Sequence, residues 1–378
     1  MKKILLTSTI PLSLNIFCKG WLAELERSGY RVVAVSSPGD DLEELAEREG
    51  VKTYAVPMCR YIAPLNDLRS LWQLIKVFRR ERPHMVHSIT PKAGLLSMLA
   101  AWLVRVPIRV HTFTGLVFPT ARGLRRAILQ TTDRLTAACA THIVPEGEGI
   151  KADLQRNGIT RKPLRVLGYG NVRGIDLEYY NPDDPEVKTQ ALALRDVALF
   201  TFIFVGRMVG DKGVNELVAA FCRLHRDYPA TRLLLVGWEA EVDPLTQETE
   251  EEICRNSAIT CAGYQSDVRP WLAAADVLVL PSYREGFPNV VIEAGAMGLP
   301  SIVSNVNGAN EIVIEGRNGL IVPPRDVQRL GEAMVDMMEN RVRFDEMRRH
   351  ARPMISERYE QFYVRCCQKA YYREILQT

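Results

Sequence analysis

Long apolar runs are missing from this sequence. None approaches the roughly 20 residues that a bilayer-spanning helix needs, so membrane contact, where it occurs, has to be peripheral. Cysteine is present without pattern. Cys18, Cys59, Cys139, Cys222, Cys254, Cys261, Cys366 and Cys367 include no CxxC pair and no spacing suited to zinc. They read as reduced thiols of a cytoplasmic protein, with no metal site. A signal peptide is also lacking: the opening MKKILLTSTIPLSLN has a short apolar run broken by Thr, Ser and Pro, and reads as a first strand. Aromatic residues are not interleaved with basic ones and no recognised binding motif occurs, which sets nucleic acid aside as a partner. Low-complexity segments are absent as well.

What the chain does have is size and an uneven charge. Its 378 residues, 47% of them apolar, can bury two sizeable cores, the usual outcome at this length. Met1 to Ile175 carries 26 Lys and Arg against 14 Asp and Glu, a net +12, and the remainder carries 22 against 31, a net −9. A basic first half suits contact with something anionic, either a phospholipid surface or a diphosphate-bearing acceptor. One or two basic helices with solvated faces give the same sums.

Strand-length apolar runs alternate with stretches of helical spacing. Strands are expected at Lys2–Ser8, Arg31–Ser36, Lys52–Val56, Met85–Ser88, Ile108–Thr112, Thr141–Pro145 and Leu164–Leu167, with helices at Asn15–Ser28, Leu42–Glu49, Leu65–Arg82, Gly94–Val104 and Gly149–Asn157. The polar, proline-bearing segment 177–196 reads as a linker. The pattern then resumes with strands at Leu199–Val205, Arg232–Val236, Ile259–Cys261, Asp276–Leu280, Ser301–Ser304 and Gly319–Val322, and a helical tail, Leu330–Leu376, with a break or kink expected at Pro353. Such alternation predicts doubly wound parallel sheets, which bind ligands beyond the carboxyl ends of their strands.

The loops after strands are therefore where chemistry belongs. After Asp276–Leu280 the chain reads PSYREGFPNVVIEAGAMGLP, a strand, loop and helix in which Glu285 and Glu293 are eight residues apart. A helix start beyond a strand end favours an anion such as phosphate, and a carboxylate accepts hydrogen bonds from pairs of sugar hydroxyls. After Leu199–Val205 comes GRMVGDKGV, in which Arg207 and Lys212 stand among Gly206, Gly210 and Gly213, so that backbone and cations can converge on phosphate oxygens.

Together, EGFPNVVIEAGAMGLP and the upstream Arg and Lys resemble the signature of family 4 retaining glycosyltransferases. The resemblance implies the GT-B fold: two Rossmann-like doubly wound parallel-sheet domains facing a central cleft, with acceptor at residues 1–176 and nucleotide sugar at 197–358, and a last helix, about 359–378, crossing back onto the first domain. It implies that Glu285 meets the donor sugar and Glu293 the ribose. The turn through Gly286, Phe287, Pro288, Asn289 and Val290 would meet the diphosphate, and the base would lie near Gly263 and Tyr264. Arg207 and Lys212 would neutralise the leaving diphosphate without a metal. GYGNVRGID, with Asn171, Gly174, Ile175 and Asp176, resembles the turn that closes the family's first domain.

In the first domain the chain departs from the family. The loop after the first strand, TSTIPLSLN, lacks the glycines common there, leaving Ser8, Thr9 and Ser13 to offer hydroxyls to an acceptor. Lys92, in HSITPKAG, precedes a helix and can meet acceptor phosphate, or is a solvated charge. In HTFTGLVF, Thr114 precedes Gly115 where relatives often carry histidine; His111, three residues earlier, is a sugar contact or a satisfied buried histidine. The basic segment 119–136, with Arg122, Arg125 and Arg126, can lie in an anionic membrane interface or pack on its own sheet. HSITPKAGLL and HTFTGLVFPT are similar to bacterial enzymes that extend lipid-diphosphate-linked saccharides, undecaprenyl-diphosphate carriers among them, from UDP-linked hexoses or N-acetylhexosamines. Two alternatives stand beside a transferase: a UDP-sugar 2-epimerase of the same fold, and a non-catalytic nucleotide-sugar-binding scaffold.

Overall fold

The computed structural model describes every residue except 60, 62, 239–241 and 378, and its contacts divide the chain into two compact units. Unit 1 comprises Met1–Gly174 with Phe362–Thr378, and unit 2 comprises Ile175–Gln361.

Unit 1 is built on β1 (Lys3–Thr7), β2 (Arg31–Ser36), β3 (Lys52–Ala55), β4 (Met85–Ile89), β5 (Ile108–Phe113) and β6 (His142–Pro145). These form a six-stranded parallel sheet in the order β3-β2-β1-β4-β5-β6. Helices cover both faces, so the central strands are buried nearly throughout. Successive residues feed opposite cores: Leu5, Val33 and Val86 pack on one side, and Ile4, Leu6, Val32 and Ala34 on the other. The second core is completed by Tyr371, Tyr372, Ile375 and Leu376 of the helix Gln361–Gln377.

Unit 2 repeats the design with β7 (Phe200–Val205), β8 (Thr231–Val236), β9 (Ile259–Gly263), β10 (Val277–Leu280), β11 (Ser301–Ser304) and β12 (Gly319–Val322). Its order, β12-β11-β10-β7-β8-β9, is that of unit 1 read from the other edge. In each sheet the strand order reverses between the first and fourth strands, β1/β4 and β7/β10. Loops leaving the carboxyl ends of such a pair diverge and leave room for a ligand.

Several local expectations change. The helix expected over Asn15–Ser28 is two short helices, Pro11–Phe17 and Trp21–Arg27, separated where Gly20 takes φ +71. Leu164–Leu167 adds no strand: Leu164 makes an isolated bridge to Ile143, and β6 is the sheet edge. The helix expected from Gly94 starts at Pro91, a residue that suits a first helical turn because its missing N–H has no acceptor to lose. Pro353 does not end its helix, which runs from Arg341 to Tyr359; the interruption comes at Glu360. Within 177–196 lies a helix, Pro185–Leu194, whose start is capped by Asp184 and which buries Val187 and Ala191 in unit 2. No described helix is long and apolar enough to cross a membrane.

Candidate active site

In unit 2 the loops leaving β7 and β10 touch because of one glycine. Gly213 closes the short turn Gly210–Lys212 with φ +73, and a Cβ there would lie 2.2 Å from the Pro281 carbonyl oxygen. Only glycine meets both conditions. The contact brings Lys212 Nζ to 2.5 Å from Glu285 Oε1, with the two side chains 21% and 10% exposed. Further links tie these loops to each other, to the loop after β8 and to the helix Val214–Asp227. Arg284 pairs with Asp211 at 2.8 Å, the Tyr283 N–H donates to the Asp211 carbonyl at 2.9 Å, and the Asp211 N–H donates to Asp243 Oδ2 at 2.6 Å. The Tyr283 hydroxyl donates to Glu216 at 2.5 Å, and burial followed by that carboxylate pushes its pKa well above the ordinary value.

The helix Asn289–Ala296 begins directly beyond this junction, after Pro288, with no side-chain cap. Its positive end favours an anion there. Glu293 lies on this helix, half-buried. Gly308, in the loop after β11, supports the turn from behind: a Cβ on it would lie 2.3 Å from the Gly286 carbonyl oxygen. Phe287 is buried and packs edge-on against Tyr359 with ring centroids 5.6 Å apart, so it anchors the turn and does not present itself to a ligand. Arg207 is exposed, and its guanidinium has no partner among the described residues. Tyr264 is 68% exposed and meets Trp238 edge-on at 5.6 Å. Trp238, like Asp211 and Asp243, carries no signal in the sequence, because its place depends on β8 and β9 being neighbours.

Unit 1 meets its own switch point with hydroxyls. Thr9 Oγ1 lies 2.8 Å from Thr90 Oγ1 and accepts from the Ala93 N–H at 3.1 Å, while the Thr9 N–H donates to Thr90 Oγ1 at 3.1 Å. Thr90 holds φ +78 and ψ 144, a conformation costly for any residue with a Cβ. Lys92 is paired with Asp67 at 2.6 Å. Thr9, Ser13 and Lys92 share a cavity of about 600 Å³ with apolar side chains such as Leu95 and Ile128.

The other acceptor candidates are not in that cavity. Ser8 is fully buried, and Thr114 and Gly115 lie half-buried outside the lining. His111 is 1% exposed, 2.8 Å from Ser88 Oγ and edge-on to Phe113, beneath Gly94, where a Cβ would lie 2.3 Å from its ring. Burial lowers its pKa to about 3. That placement buries the ring, with Nδ1 engaged by the Ser88 hydroxyl. Among the described residues no group of three or more His, Cys, Asp and Glu is placed to hold a metal ion.

Residues 15–170 match the family described as "Glycosyl transferase 4-like domain", and residues 200–340 match "Glycosyl transferases group 1". A capsular polysaccharide biosynthesis glycosyltransferase, CapM, of Staphylococcus aureus is 30% identical over 340 residues, 90% of this chain and 88% of that protein. An Escherichia coli UDP-Gal:alpha-D-GlcNAc-diphosphoundecaprenol alpha-1,3-galactosyltransferase is 29% identical over 302 residues, 78% of this chain and 76% of that one. Among solved structures, Anabaena Alr3699/HepE in complex with UDP superposes with a TM-score of 0.81 at 18% identity, covering 99% of this chain and 100% of that one.

Proposed function

Because the chain belongs to the GT-B glycosyltransferases of the group 4-like superfamily, which includes bacterial transferases of surface polysaccharides and lipid-linked sugars, we propose that it moves a hexose or N-acetylhexosamine from a UDP-sugar to a lipid-diphosphate-linked saccharide, with retention at the anomeric carbon. The observation that carries this reading is the Lys212–Glu285 pair at the β7/β10 switch point, directly before an uncapped helix start that holds Glu293. An ammonium and a helix dipole stabilise the charge that develops on a departing diphosphate, and the exposed Arg207 adds a second cation on the same loop. In this reading Glu285, held by Lys212, accepts from hydroxyls of the transferred sugar, and Glu293 from those of the ribose. Tyr264 with Trp238 offers an aromatic surface to the base.

For the acceptor, the reading draws on the E. coli relative, whose name specifies a diphosphoundecaprenol carrier, and on the net +12 of the first 175 residues. A lipid carrier places the enzyme at the inner face of the cytoplasmic membrane as a peripheral protein. The test begins with thermal melting in the presence of UDP, GDP and their sugars, since a ligand of the folded state raises the midpoint by mass action. UDP compounds should raise it and GDP compounds should not, and Glu293→Ala should diminish the rise. Transfer of labelled sugar to GlcNAc-diphosphoundecaprenol then follows. A shift with GDP compounds alone, or with none, refutes the donor assignment.

A further inference from the structure

Three consecutive residues of the loop after β10 bind the β7 side, and the donor reading uses only the last of them. The Tyr283 hydroxyl donates to Glu216 at 2.5 Å, Arg284 pairs with Asp211 at 2.8 Å, and Glu285 pairs with Lys212 at 2.5 Å. Each loop therefore presents an acid and a base in succession. Asp211 and Lys212 meet Arg284 and Glu285, so the charges alternate along each loop and match across the gap.

The Asp211–Arg284 pair is poorly built for stability. It is made by one nitrogen and one oxygen, its side chains are 27% and 35% exposed, and Asp211 Oδ1 and Arg284 Nε are buried without a hydrogen-bond partner among the described residues. A half-exposed pair contributes little to a fold, and buried orphan atoms subtract from that. Its place is nevertheless fixed by its surroundings. The Asp211 N–H donates to Asp243 Oδ2 at 2.6 Å, the Gly210 N–H donates to the Asp243 carbonyl at 3.0 Å, and the Asp211 carbonyl accepts from the Tyr283 N–H at 2.9 Å. Asp243 itself holds φ +65. From the loop after β12, the Arg325 guanidinium lies 4.3 Å from the centroid of the Tyr283 ring. Loops leaving four strands, β7, β8, β10 and β12, thus converge on this pair.

Loss of either charge would be felt next door. Without Arg284, the Asp211 carboxylate stands uncompensated one residue from Lys212, where it draws on the ammonium and repels a diphosphate. Without Asp211, the Arg284 guanidinium is free to compete with Lys212 for Glu285. We infer that Asp211 and Arg284 are positioning residues: their ion pair keeps Lys212 on Glu285 and keeps an unpaired carboxylate away from the diphosphate. The inference rests on the donor reading, which makes Lys212 and Glu285 the groups that act on the nucleotide sugar.

The test is a double-mutant cycle of Asp211→Asn and Arg284→Gln, with Arg284→Lys as the conservative variant. Two quantities are read: UDP affinity from melting midpoints, and kcat for UDP release from the UDP-sugar that raises the wild-type midpoint most. Each single variant should lower kcat on the order of ten-fold. Arg284→Gln should also weaken UDP binding on the order of ten-fold, because the uncovered carboxylate repels the diphosphate. The double variant, which carries neither charge, should recover most of both losses, and Arg284→Lys should show neither. Midpoints without ligand should stay together across the set, since the pair is half exposed and the backbone bonds of residue 211 are untouched. Losses that add in the double variant, full activity in both single variants, or unliganded midpoints that fall in step with activity overturn the inference. A loss that follows Arg284→Gln into the double variant also overturns it, by making Arg284 itself a diphosphate contact. A wild type that no UDP compound stabilises refutes the donor reading and the inference with it; additive losses in a wild type that does bind UDP refute only the positioning role.

Discussion

The two units share one strand order and fill its switch point with opposite chemistry. At β7/β10 the loops meet through glycine and carry a charged pair, Lys212 and Glu285. At β1/β4 they meet through two threonine hydroxyls, with Thr90 held at φ +78. A doubly wound sheet supplies the position and says little about what occupies it. Charge at one switch point suits a diphosphate; hydroxyls beside an apolar cavity suit a larger, mixed ligand.

Acid should affect unit 1 most, because its sheet buries neutral imidazoles. His87 contacts the Tyr372 hydroxyl and lies 2.7 Å from Thr112 Oγ1, and burial lowers its pKa to about 4, as it lowers that of His111 to about 3. Both folded values lie below the ordinary 6.5, so the unfolded chain binds more protons between them. Their contribution is whole above about pH 6.5 and is lost as pH falls toward 4, on the order of 3 kcal/mol for each histidine. Asp133, raised to about 7 by burial, acts in the opposite direction. Urea midpoints should therefore fall from about pH 7 to about pH 5, and His87→Gln should flatten the slope. An unchanged midpoint in the wild type would contradict the buried neutral state.

Next in size is the charged switch point. Lys212→Ala and Arg207→Ala should each reduce kcat by roughly 10²-fold or more if both cations stabilise the leaving diphosphate. Full activity in both variants removes that assignment. Gly213→Ala combines a disfavoured φ with backbone overlap and should lower stability by about 2 kcal/mol or more, together with donor binding. Glu293→Ala is expected to act mainly on KM for the donor, by roughly ten-fold, with kcat little changed. The smallest effect belongs to the hydroxyl switch point: Thr90→Ala should cost about 1 kcal/mol, and Thr90→Gly less, since glycine keeps the strain-free φ while losing the same hydroxyl. Neither Thr90 variant should alter the UDP-sugar-induced melting shift.

Much of this was legible in order along the chain. The inner strands β1, β2, β7 and β10 are largely apolar runs because both faces are covered, and they sit close to where that pattern places them. Boundaries shifted where a single residue decided: Gly20 divides the first helical stretch, and Pro91 starts a helix before its apolar pattern begins. The residues proposed for the donor site were legible as candidates because their spacing is local, Glu285 to Glu293 within one loop and helix. His111 was ambiguous because sequence does not tell a strand-end histidine facing a ligand from one beneath Gly94.

The sequence by itself determined the alternation of strands and helices, the two-unit size, the basic first half and the cation and carboxylate pairs after strands, since each depends on near neighbours or on sums. Tertiary structure decided which loops became partners. Lys212 meets Glu285 across 73 residues, Thr9 meets Thr90 across 81, and Lys92 meets Asp67 across 25, because strand order sets which carboxyl ends are adjacent and Gly213 sets how near they come. It also decided which side of the helix Pro64–Glu81 faces water, leaving Leu65, Leu68 and Trp72 outside because Leu74, Val77 and Phe78 already fill the core.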